Sequence, residues 1–215
     1  MAKTPYLRNN DEEIVNALLH AVGLGLALAG TASLVTSCMG KSIEHWVGAL
    51  CFSLTLVFTY CMSTLYHGTM DPGKKRQWRL WDHISIYAAI AGGWSPMFLL
   101  WTGAPYNWIL FSAVWVLAMG GSLYKFRCLG KNEMFSLISY ILMGWCGFAP
   151  ILYGITEVPI GSGAWLLVGG LFYTGGSYFY YADFKPYFHS LWHIAVILGS
   201  LCHYIAVYMF ILSQG

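Results

Sequence analysis

Charge is what this chain has least of. Only 9% of its residues are charged and 58% are hydrophobic, against roughly 25% charged in a soluble domain. A soluble fold needs a polar outside, and this composition cannot cover one, so the chain is expected to be an integral membrane protein. Paired cysteines are also missing. Cys38, Cys51, Cys61, Cys128, Cys146 and Cys202 are scattered, none forms a CxxC pair, and most fall inside apolar runs. They are expected to be small buried hydrophobes, not a disulfide framework. No cleavable leader is expected, because Asp11, Glu12 and Glu13 precede a first apolar run too long for an h-region. A phosphate-binding loop, a low-complexity tract and a defensible repeat are all absent. So is the paired, Pro/Gly-broken span pattern of transporters. The net charge of +2 is too small to argue for nucleic acid.

What is present is a series of long apolar runs. A helix crosses the hydrocarbon with about 20 apolar residues and bonds all its backbone groups internally. Seven runs qualify, at about 14–38, 45–68, 79–101, 107–124, 134–152, 163–181 and 187–212. The fold class expected is all-α, a bundle of seven transmembrane helices forming one domain over 1–215. Basic residues set the direction. Lys3 and Arg8 precede the first run; Lys74, Lys75, Arg76 and Arg79 lie between the second and third. Lys125, Arg127 and Lys131 follow the fourth, and Lys185 precedes the seventh. With seven crossings all of these share one side, and only Lys41 falls on the other. The positive-inside rule then puts the N-terminus in the cytoplasm and the C-terminus outside. Glycines within the spans are expected to let helices approach closely, and Trp and Tyr near segment ends suit interfacial belts.

Against that background the polar residues inside the spans stand out, because ionisable groups in a membrane are functional candidates by default. Depth follows from about 1.5 Å of rise per residue. His67 precedes Lys74 by seven positions, roughly 10 Å, and Ser63 lies one turn deeper. His189 and His193 follow Lys185 by roughly 6 and 12 Å, Asp82 follows Arg79 by roughly 5 Å, and His20 follows Glu13 by roughly 10 Å. Helices one, two, three and seven thus place polar groups in one layer. His189 and His193, at i and i+4, share a helix face, and two imidazoles so placed can grip one ion, as in HExxH helices. His67 supplies the third ligand of a three-histidine site with one open position, the pattern of catalytic zinc. Asp82 could hold the water in that position, and Ser63 could bond to it or to the substrate. His20 lies at the right depth for a ligand or a supporting group. His203, about 15 Å beyond His193, is expected to bond between helices. His83 is expected at the interface and His45 in solvent.

These residues carry a resemblance. "EEIVNALLHAVGLGLALAG", "STLYHG" with Ser63 and His67, "WDHISIYAAIAGGWSP" with Asp82, and "FHSLWHIAVILGSLCHYIAVY" with His189 and His193 resemble the hemolysin III family. That family is the bacterial branch of the progestin and adipoQ receptor proteins. Ser95-Pro96 stands where the family usually ends its aspartate motif in Thr-Pro. The resemblance covers nearly the whole chain. It implies a seven-helix protein of the bacterial inner membrane, zinc on His67, His189 and His193, and Ser63 and Asp82 beside the zinc. It also implies a role in membrane homeostasis, within a superfamily that includes lipid-amide hydrolases. Three functions are expected in this order: a zinc-dependent hydrolase of a fatty acyl or ceramide-like membrane lipid, with Asp82 and Ser63 catalytic; a non-enzymatic lipid sensor with structural zinc; and a cytolytic pore.

Overall fold

The computed structural model describes residues 10–153 and 158–213. Lys3 and Arg8 lie outside the described residues. The rest is helical, with no strand among the described residues. The helices are α1 (Asn10–Ser37), α2 (Ile43–Gly68), α3 (Pro72–Trp101), α4 (Tyr106–Cys128), α5 (Glu133–Cys146), a single turn α6 (Ala149–Leu152), α7 (Ile160–Tyr181) and α8 (Phe188–Ser213). Among the described residues, six segments are long and apolar enough to cross a membrane, α5 and α6 counting as one. Glycine, serine and tyrosine dilute α7, but it holds no charge over its 22 residues. It extends about 33 Å, enough for a hydrocarbon layer of about 30 Å. The fold is a membrane bundle of helices.

The helix ends have local causes. Pro72 stands in the first turn of α3 and the Asp71 carboxylate accepts from Lys74 N at 2.8 Å, a start signal with its capping residue. The helix therefore begins seven residues before the apolar run expected from 79, and Lys74, Lys75, Arg76 and Arg79 lie on it. The run expected at 134–152 is broken after Cys146. Pro150 has no N–H to return to the Cys146 carbonyl, so the helix stops and α6 restarts for one turn. The fourth span also runs on, to Cys128. Lys125 is consequently inside the protein, fully buried, with its ammonium on Glu133 Oε2 at 2.5 Å.

From α1 to α5 consecutive helices pack against one another, α7 packs on α5 and α8, and α1 closes the bundle by touching both α2 and α8. Glycine permits the closest approach. A Cβ on Gly48 would stand 2.8 Å from Pro96 Cα, so the backbones of α2 and α3 touch there. The apolar core gathers at one end of the bundle, around Phe52, Trp94, Met97, Trp101 and Phe210. The other end is polar within. On α1, Leu18 and Val22 are exposed at 61% and 62%, whereas Glu12 and Asn16 are fully buried. A helix that turns grease outward and carboxylates inward suits lipid surroundings and an interior polar site.

Candidate metal centre

The expected histidines converge. His67 comes from the last turns of α2, His189 and His193 from the first turns of α8, and all three are buried. Each offers one nitrogen within 4.8 Å of the other two. His67 Nε2 and His193 Nε2 stand 3.1 Å apart. Tetrahedral zinc with bonds of about 2.0–2.1 Å sets two ligand nitrogens about 3.3 Å apart, so this pair is near the spacing chelation requires.

The tautomers follow from what lies behind the rings. His67 Nδ1 is 2.9 Å from Glu13 Oε2, and the same oxygen accepts from Lys75 Nζ at 2.9 Å. A carboxylate bonded to a lysine is ionised, so His67 Nδ1 donates and its Nε2 lone pair points at His193. His189 Nδ1 faces Asp183 Oδ2 at 3.4 Å, a second carboxylate behind a second ring. Carboxylates in this place fix the ring and raise its basicity toward a metal. The donor set fits a divalent cation of borderline softness, such as zinc, copper, iron or nickel.

The first helix, more than any other, arranges these rings. Glu12, Asn16 and His20, spaced by four, share one face with Glu13 beside them. Glu12 Oε1 accepts from Tyr187 N at 3.1 Å, and Tyr187 has a φ of 60°. The carboxylate thus pins a left-handed residue at the start of α8, two positions before His189. Asn16 Oδ1 accepts from Ser190 Oγ at 2.6 Å. Glu13 holds His67, and the His20 ring lies 3.8 Å from that of His193. Sequence reading used Glu12 and Glu13 only as charges before the first span. The signal was available: Glu12, Asn16 and His20 recur every four residues.

The other expected residues are placed as follows. Ser63 is fully buried one turn before His67, and its Oγ has no hydrogen-bond partner among the described residues. Asp82 lies within electrostatic reach of His67 and His20, and its carboxylate pairs with His83 Nδ1 at 3.5 Å. His83 is itself buried and contacts the Arg79 carbonyl at 2.8 Å. His203 bonds between helices as expected, 3.3 Å from the Leu166 carbonyl. His45 is half-buried, 2.9 Å from Ser42 Oγ. Within the apolar core, lined in part by Trp94, Tyr140 and Leu166, lies a cavity of about 140 Å³ among α2, α3, α5, α7 and α8. Its walls are mostly apolar, and Tyr60 and Trp192 line it nearest the histidines.

Fold and site together define a multi-pass helical membrane protein with a buried histidine cluster able to hold a metal. Comparison then supplies the lineage. The family described as Haemolysin-III related matches residues 8–204, and the chain belongs to it. It is 30% identical to "Hemolysin-3" of Bacillus cereus, covering 95% of this chain and 94% of that protein. It is 28% identical to "Hemolysin-3 homolog" of Bacillus subtilis, covering 91% and 92%. It is 27% identical to human "Monocyte to macrophage differentiation factor", covering 93% and 84%. No solved structure matches the chain.

Proposed function

We propose that this protein is a zinc-dependent hydrolase of the bacterial inner membrane that cleaves an amide or ester of a fatty acyl or ceramide-like lipid. One observation carries the reading. Three buried imidazole nitrogens cluster within 4.8 Å, backed by carboxylates, beside an apolar cavity in the same bundle. His67, His189 and His193 would hold the ion. When bound, zinc supplies Lewis acidity that activates water at neutral pH and polarises a carbonyl. The protein's own groups do the rest. Asp82 accepts the proton of the attacking water and returns it to the leaving amine or alcohol, and its pairing with His83 steadies the carboxylate. Ser63, with an unspent Oγ, hydrogen-bonds the water or the lipid carbonyl. The cavity takes the chain and excludes bulk water. The test is mass-spectrometric detection of fatty acid released from membrane lipid by purified protein. Release that disappears in Asp82→Ala and His193→Ala supports the reading; unchanged release from metal-stripped protein overturns it.

A second reading rests on the packing. α2 and α8 meet directly at few points, with α1 lying against both, so a shared cation would clamp them. In that case the protein is a lipid sensor or homeostasis factor without turnover. Chelation would then lower its melting temperature, and no product would form. The relatives' name points to a cytolytic pore. That reading ranks last: a bundle oriented by its basic residues suits residence in the cell's own membrane.

A further inference from the structure

One imidazole of the buried layer belongs to none of these pairs. His20 is 3% exposed, and neither of its ring nitrogens has a hydrogen-bond partner among the described residues. It does not join the three rings whose nitrogens cluster. Its ring touches His193 at 3.8 Å and Tyr60 at 5.2 Å between centroids. Tyr60 lines the apolar cavity, so His20 lies between a wall residue of the cavity and a ring of the metal cluster. A neutral imidazole carries one N–H and one lone pair. Burying both unbonded costs free energy that packing does not return. His203 shows the contrast: it is a histidine of the same bundle that bonds to a neighbouring helix, at the Leu166 carbonyl.

We propose that His20 donates its N–H to the carbonyl or carboxylate oxygen of an acyl ligand whose chain fills the cavity. It touches the ligand and is not a metal ligand. The assignment rests on the metal and acyl-lipid reading above. As charge gathers on that oxygen during attack at the carbonyl carbon, the hydrogen bond strengthens, which is how a fixed donor favours the transition state.

The experiment uses the full chain in detergent, loaded with cobalt(II) and titrated with laurate. The visible absorption of the cobalt reports both its ligands and the arrival of the probe. Wild type, His20→Leu and His20→Gln are compared. All three are expected to bind one cobalt with the same resting spectrum. Laurate affinity should fall on the order of tenfold in His20→Leu, the loss of one hydrogen bond to a charged group, and recover most of the way in His20→Gln, which keeps an N–H. Loss of cobalt or a changed resting spectrum in His20→Leu would make His20 a metal ligand and overturn the assignment. Unchanged laurate affinity would reduce His20 to packing and overturn it too. Should His20→Leu not fold, His20→Phe removes both nitrogens while keeping a ring against Tyr60, and the same outcomes decide. Absence of cobalt from the wild type would sink the metal reading itself, and this assignment with it.

Discussion

At the scale of single residues, the carboxylates behind the rings matter as much as the rings. His67→Ala and His193→Ala remove donors outright, so metal content measured by mass spectrometry should fall from about one ion per chain to near none. Glu13→Gln keeps every donor but removes the ionised acceptor that fixes the His67 tautomer. Zinc affinity, read by competition with a chromophoric chelator, should weaken by about 10–100-fold. Asp183→Asn should have a smaller effect, because its contact with His189 is longer, at 3.4 Å against 2.9 Å. The histidines were legible in the sequence because spacing by four and a common depth are arithmetic on a helix. The carboxylates were hidden by position. Glu12 and Glu13 sit where a chain normally leaves the membrane, and only the inward face of α1 makes them interior groups.

At the scale of elements, the joint between α4 and α5 shows what a buried cation requires. Lys125 has no exposure, and Glu133 answers it while also meeting Arg79 at 3.3 Å. Removing one partner of a buried pair leaves an uncompensated charge. Glu133→Gln should therefore destabilise the protein by about 3 kcal/mol, and adding Lys125→Met should restore most of the loss. Thermal unfolding in detergent measures both. Sequence patterning located every long helix because apolar length is a strong signal in a membrane chain. It missed the early start of α3, which depends on one Asp–Pro cap. It also missed the break before α6, where Pro150 lies within an otherwise apolar run. Lys125 was read as a flanking charge since no local pattern marks a lysine whose partner is eight residues on.

At the scale of the whole molecule, the bundle has a greasy end that holds an apolar-walled cavity and a polar, histidine-bearing end. By the positive-inside rule the polar end is expected to face the cytoplasm. A C-terminal fusion to alkaline phosphatase, active only outside the cytoplasm, should therefore be active, and a fluorescent-protein fusion there should be dark. A metal bound where α1, α2 and α8 meet would also stabilise the fold by mass action. A chelator should lower the melting temperature of the wild type and leave His193→Ala unmoved. The direction of the chain is an expectation from the placement of its basic residues, which these fusions test. The cavity was not legible in the sequence, because its walls come from five helices and depend on how their faces are turned.

Glu13 Oε2 serves two partners at once, a buried ring and a lysine at the membrane's edge. With both lone pairs committed, that oxygen ties α1, α2 and α3 together beside the centre, and the three histidines are buried from water. A lipid substrate is therefore expected to arrive laterally, from within the leaflet. Its encounter rate should follow mole fraction in the membrane rather than bulk concentration, so diluting it with inert lipid at constant total amount should slow binding in proportion.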